Sequence, residues 1–163
     1  MRTTTSVFAA LALALALFPG DSSADKDKAG FVRVTPDEVV WTDRPGYEGV
    51  KFATIQGDPS KPGIYVLRVK FSPGTMTRPH WHPEDRHVTV VAGTWYTGEG
   101  DDFDPDKTVP LKAGSYMMHP ATAHHYDGAK DGEVIVQIIG VGPSKTTLVH
   151  PELGHTGRSL KRR

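Results

Sequence analysis

At 163 residues, with no cysteine and with 19 basic side chains balanced by 19 acidic ones, the chain has the size of one modest domain. The absence of cysteine excludes a disulfide framework and a thiolate metal site, and the neutral balance leaves no electrostatic case for nucleic acid or another polyanion.

The first predicted element is a targeting segment. Arg2 gives a positive start, and the apolar run from Val7 to Phe18 is too short to span a bilayer comfortably. Ser22, Ser23 and Ala24 then supply the small residues that a signal peptidase needs, so residues 1–24 are expected to be removed, with export to the periplasm or the exterior. An uncleaved anchor is the rival expectation, and a lipid anchor lacks its cysteine. After cleavage no stable membrane insertion is expected.

Residues 25–30 are polar and aperiodic and read as a flexible tether, and the folded domain is expected over 31–153. Phe31 to Val34 alternates weakly as an edge strand. Val39, Val40 and Trp41 supply apolar anchors, Trp41 for the core or a dimer interface. Tyr47 to Gly57 reads as a short strand, and the turn residues Asp58 to Gly63 return the chain into Ile64 to Phe71. In that run Tyr65, Leu67, Val69 and Phe71 form the better core face, with Ile64, Val66, Arg68 and Lys70 opposite.

Gly74 opens a stretch that contains His80 and His82. Residues two apart on a strand point to the same face, so two imidazoles stand side by side in a metal-ligating arrangement, with Trp81 turned away. Thr94 to Gly98 is a strand. The acidic loop from Glu99 to Lys107 lacks the central glycine and closing glutamate of an EF-hand and reads as solvated. Gly114 to Tyr126 repeats the grammar of the first histidine stretch: a glycine turn, a short apolar strand, a proline, then histidine. If the two stretches fold against each other, His125 completes a three-histidine cluster with His80 and His82. Asp127 to Gly132 is a turn, Glu133 to Gly140 is the most strand-like run, and residues 154–163 read as a basic disordered tail. Many short strands separated by Gly and Pro predict a sandwich or barrel.

The two histidine stretches resemble the paired motifs of the cupin superfamily. Its first motif reads G, five residues, H-x-H, three or four residues, E, six residues, G, and Gly74, His80, His82 and Gly93 fall in place. In the second motif Gly114, Pro120 and His125 match, while Thr122 stands for the family's glycine and Ala129 for its asparagine, which weakens the local turn more than the metal site. The resemblance implies an all-β fold, the double-stranded β-helix or cupin jelly-roll barrel. It also implies a divalent transition metal (Fe, Mn, Zn, Ni or Cu), a small-molecule ligand or substrate, and a homodimer.

One departure stands out: Arg86 occupies the position of the family's metal-binding glutamate. A bulge in the strand would bring Glu84, Asp85 or His87 inward, and His87 is carried as a possible fourth ligand. Without a bulge, Arg86 turns aside to Glu84 or Asp85, or it clamps a substrate carboxylate as a catalytic-site residue. His119, His124 and His150 are expected to be ordinary packed or surface histidines. The functional expectation is an exported metal-dependent enzyme, of dioxygenase type or related, acting on a small organic molecule. The alternative is a cupin that binds or senses a metal or small molecule without turnover.

Overall fold

The computed structural model describes residues 26–159. Within them the chain alternates apolar and polar side chains over short runs punctuated by Gly and Pro, and it forms strands joined by turns and three short 3-10 segments, with no α-helix among the described residues. In chain order the strands are β1 (Thr42–Asp43), β2 (Val50–Gln56), β3 (Gly63–Phe71), β4 (Thr75–Thr77), β5 (His80–Trp81), β6 (Arg86–Ala92) and β7 (Thr94–Glu99). They continue with β8 (Val109–Lys112), β9 (Tyr116–His119), β10 (His125–Gly128), β11 (Val134–Gly142), β12 (Thr147–Leu148) and β13 (Thr156–Arg158).

Two antiparallel sheets result. One has the order β1-β2-β3-β11-β6-β9, and the other runs β12-β5-β10-β4-β13 with β7 attached to β10 and β8 to β7. Strands distant in sequence lie side by side in both, as the jelly roll expected from the motifs requires. The longest ladder joins β3 to β11 from Val134 opposite Phe71 to Gly142 opposite Gly63.

Alternation decides which face is inside. On β3, Tyr65, Leu67, Val69 and Phe71 are buried as the sequence predicts, and they meet Val88 and Val90 of β6 and Val134, Val136 and Ile138 of β11. Each such side chain contributes roughly 1.5–3 kcal/mol when fully buried. A slip of one residue would put Arg68 and Lys70 in the core, so the register is strongly fixed. The backbone of Gly140 lies under the Tyr65 ring: a Cβ added there would sit 2.5 Å from Tyr65 Oη. Glycine at this position thus lets the phenol reach across the barrel.

The chain ends differ from expectation. Asp27, placed in the flexible tether, accepts backbone hydrogen bonds from Ala29 at 2.9 Å and Phe31 at 3.0 Å. Lys26 bridges to Val32, so the predicted edge strand over 31–34 is reduced to this isolated bridge. At the other end the expected disordered tail is ordered as far as Ser159. Thr156–Arg158 covers the edge of β4, and the buried Ser159 hydroxyl donates to the Ala129 carbonyl at 2.5 Å. Hydrogen bonds to an otherwise open sheet edge outweigh the polar composition of this segment. Residues 1–25 and 160–163, including the expected signal peptide, lie outside the described residues.

Thr122, which stands for the cupin glycine, keeps the glycine's backbone conformation with φ of 65°. Its N–H donates to the His82 carbonyl at 2.7 Å, which ties the loop before β10 to the first histidine stretch. A β-branched residue held there costs about 1–2 kcal/mol. Thr122→Gly should therefore raise stability by about 1 kcal/mol after the added entropy of an unfolded glycine is subtracted. A urea midpoint at or below that of the wild type would show that the loop is unstrained.

Candidate metal centre

Cross-strand pairing brings the histidines together. His80 of β5 lies opposite His125 of β10, and Arg86 of β6 lies opposite His119 of β9. Since opposed residues on paired strands face the same way, all four side chains point between the sheets. His82, just beyond β5, joins them: its ring centroid is 4.9 Å from that of His80 and 5.4 Å from that of His125. The five residues and Asp127 line a cavity of about 330 Å³ whose apolar wall includes Leu67, Val88, Trp95 and Val136.

The orientation of three imidazoles is fixed by backbone carbonyls, which can only accept. His80 Nδ1–H donates to Arg78 O at 2.7 Å, His82 Nδ1–H to Lys145 O at 3.0 Å and His125 Nδ1–H to Ala123 O at 2.9 Å. Each ring therefore carries its lone pair on Nε2 and presents it inward, the tautomer and outer support that metal-ligating imidazoles need. The ligand atoms of His80, His82 and His125 lie within 4.8 Å of one another. His125 Nε2 is buried with no hydrogen-bond partner, and so is His119 Nε2. Nε2 lone pairs converging from neutral imidazoles fit a bound cation, so the residues present suit a divalent metal.

Arg86 takes neither position foreseen for it alone. Its guanidinium stays inside and donates through Nη1 to His82 Nε2 at 2.6 Å and through Nε to the Tyr65 hydroxyl at 3.1 Å. At the same time it keeps Glu84 within reach, with Nε 3.6 Å from Oε1, and the Tyr65 hydroxyl donates to that oxygen at 2.7 Å. No bulge interrupts β6 here, so His87 faces solvent and accepts from or donates to the Tyr116 hydroxyl at 2.7 Å. The expectation of His87 as a fourth ligand is corrected: strict alternation puts residue 87 outside once residue 86 is inside.

Sequence reasoning passed over two residues. His119, expected to be an ordinary packed or surface histidine, is packed, and it lies on the cavity wall with its ring 3.8 Å from that of His125. Its pairing with Arg86 was the available signal, because Met117 and His119 share a face and only the strand register chooses that face. Asp127, read as the start of a turn, is the third residue of β10 and shares the face of His125. Its Oδ1 accepts from Trp95 Nε1 at 3.3 Å, and its backbone N–H donates to the Thr77 hydroxyl at 3.0 Å. Trp95 lines the cavity, whereas Tyr116 and Met118 of β9 are exposed. His124 pairs with Asp101, and His150 lies beside Glu152, both on the surface.

Burial keeps all four imidazoles neutral. Desolvation holds His80 and His82 well below their usual range; a proton on His80 would also be repelled by one on His125, and a proton on His82 by the Arg86 guanidinium. His119 is lowered to about 2, and His125 to about 4, by desolvation first. Desolvation raises Asp127 to about 6. In the unfolded chain each imidazole takes up a proton near pH 6.5. The histidines of the metal-free protein thus contribute stability that is complete above about 6.5 and is lost as pH falls. Asp127 acts in the opposite sense, favouring the folded state as pH falls through 6 toward 4. Four lowered imidazoles outweigh one raised carboxyl, so over this interval the unfolded chain binds more protons than the folded one. The urea midpoint of the metal-free protein should therefore fall as pH drops from 6 to 4, and one that stays flat across this interval would contradict the assigned neutral imidazoles.

Comparison with known proteins agrees with this architecture. The chain is 29% identical over 96 residues to a germin-like protein, subfamily 3 member 2, of Arabidopsis thaliana; the match covers 55% of this chain and 42% of that protein, so the chain spans under half of its length. Among solved structures, the polyketide cyclase RemF from Streptomyces resistomycificus superposes with a TM-score of 0.57 at 17% identity, over 72% of this chain and 86% of that one. The DMSP lyase DddQ from Ruegeria pomeroyi gives a TM-score of 0.57 at 16% identity, over 70% of this chain and 62% of that one. At these identities the structural likenesses speak for the fold alone. Residues 29–144 match the family model described as the ChrR cupin-like domain, a span that includes both histidine stretches and every strand except β12 and β13, and the chain belongs to that family of cupins.

Proposed function

We propose that the chain is an exported, metal-dependent cupin that acts on a small organic anion, with chemistry of dioxygenase type or related. The observation that carries the reading is the set of three carbonyl-locked imidazoles whose Nε2 lone pairs converge in a cavity of about 330 Å³, large enough for a small ligand beside an ion. His80, His82 and His125 are the ligands that the cupin motifs assign, and a divalent transition metal would supply Lewis acidity and open coordination positions there. Cupin neighbours named as a cyclase and a lyase support an enzyme on this fold without choosing the reaction.

The chain's own residues define the rest of the site. Arg86, already on the cavity wall, offers a planar guanidinium to a carboxylate or enolate, and Tyr65 holds that guanidinium in place. When Arg86 turns to an anionic ligand it releases His82 Nε2. The apolar wall of Leu67, Val88 and Val136 excludes water around the bound molecule and strengthens its pairing with Arg86. The signal segment expected over residues 1–24 motivates the exported location.

A second reading, a cupin that binds without turnover, draws on one observation: the guanidinium rests on His82 where a motif glutamate would join the metal. Oxygen uptake with a panel of small diketones, thiols and catechols separates the two, since turnover of any of them excludes the binding module.

Two outcomes test the site itself. Elemental analysis of the purified full chain should find about one divalent transition metal per chain in the wild type and none in His125→Ala, with His150→Ala retaining it. Equal metal in all three would remove His125 from the centre. Arg86→Glu should tighten metal binding at least tenfold, because a doubly charged ion about 6 Å from the guanidinium is repelled by roughly 5 kcal/mol at an effective dielectric of about 20. Unchanged affinity in Arg86→Glu would mean that this charge does not act on the ion.

A further inference from the structure

The cavity contains two overlapping sets of ligand atoms. Besides His80, His82 and His125, the ligand atoms of His119, His125 and Asp127 also lie within 4.8 Å of one another, and all three of these residues are buried. The sets share His125 and differ in charge, since only the second contains a carboxylate.

We propose that, while no anion is bound at Arg86, a divalent transition-metal ion rests on His119, His125 and Asp127 and not on the three motif imidazoles. The proposal builds on the reading that this cavity takes a metal at all. Four observations support it. In the first set, His82 Nε2 already accepts from Arg86 at 2.6 Å, so one of its three lone pairs is engaged. In the second, His119 Nε2 and His125 Nε2 are buried and have no partner. Asp127 is turned for coordination: Trp95 holds Oδ1, and Oδ2 lies 3.9 Å from His125 Nε2. That gap is too long for a hydrogen bond and close to the roughly 3.4 Å that separates two donors at about 2.1 Å from one tetrahedral ion. Finally, Asp127 brings negative charge to an ion that has a guanidinium nearby, which three neutral imidazoles cannot do.

The missing motif glutamate then has a substitute within the chain. The carboxylate has moved from position 86 on β6 to position 127 on β10, two residues after His125 and on the same face. Two imidazoles and one carboxylate form the ligand composition of non-haem iron(II) sites, so the second set suits iron(II) and its spectroscopic substitute cobalt(II).

The test is a titration of the full, metal-stripped chain with cobalt(II) chloride, in a buffer free of carboxylate and phosphate, read by visible absorption. Wild type should bind one ion per chain. Asp127→Asn and His119→Gln, which keep side-chain volume, should each weaken binding by more than the roughly 10–100-fold that outer supports cost, and should change the absorption band. His82→Ala should weaken binding less than about tenfold and keep the band, while the surface variant His150→Ala leaves both unchanged. Loss in His82→Ala with normal binding in the other two would overturn the proposal and return the ion to the motif set, as would equal loss in all three. No uptake by the wild type would defeat the underlying metal reading as well. Arg86→Glu gives a check that leaves His119 and Asp127 intact. With the guanidinium gone the ion should move to the motif ligands, so that His82→Ala becomes costly only in that background; the same small effect in both backgrounds would count against the proposal.

Discussion

A lone pair buried away from water must meet a proton or a cation, and this protein buries several in one place. His80, His82 and His125 each spend their only N–H on a backbone carbonyl, which commits the opposite nitrogen to accept. None of them can satisfy another, because neighbouring acceptors do not hydrogen-bond to one another. The rest of the molecule is arranged around that convergence: two sheets fix the rings, and apolar side chains of β3, β6 and β11 line the cavity beside them. Within the protein itself the guanidinium of Arg86 meets one of these lone pairs, that of His82.

Arg86 consequently ties together the charges of the cavity. It sits between His82, Tyr65 and Glu84, so its position depends on a neutral imidazole, a phenol held under Gly140, and a carboxylate with one unpartnered oxygen. An ion entering the cavity meets a cation on one wall and the Asp127 carboxylate on another. An anionic ligand would reverse the preference by drawing Arg86 off His82. A side chain that looks like the loss of a metal ligand thus becomes the element through which metal and small molecule sense each other.

The fold was largely legible because it is written in period-two alternation, as on β3, and in turn residues at regular intervals. His80 and His82 announced themselves by spacing, and His125 by its place after the proline of the second stretch. His119 and Asp127 were not legible, since each depends on which face of a short strand turns inward. That choice is made by a partner strand distant in sequence: Arg86 for His119, and Thr77 with Trp95 for Asp127. His87 failed for the complementary reason: a bulge was allowed in β6 that the uninterrupted pairing with β9 does not contain. The ordered stretch before Ser159 was hidden because composition reports solvation but not the presence of an open sheet edge beside β4.

The most direct measurement of the central claim is X-ray absorption at the metal edge of the full chain loaded with one equivalent of cobalt(II). The account predicts a nitrogen and oxygen first shell with the outer-shell scattering of at least two imidazole rings, retained when Arg86 is intact and no anion is present. A shell of oxygen alone, or with a single imidazole, would contradict the claim that these converging lone pairs hold a metal.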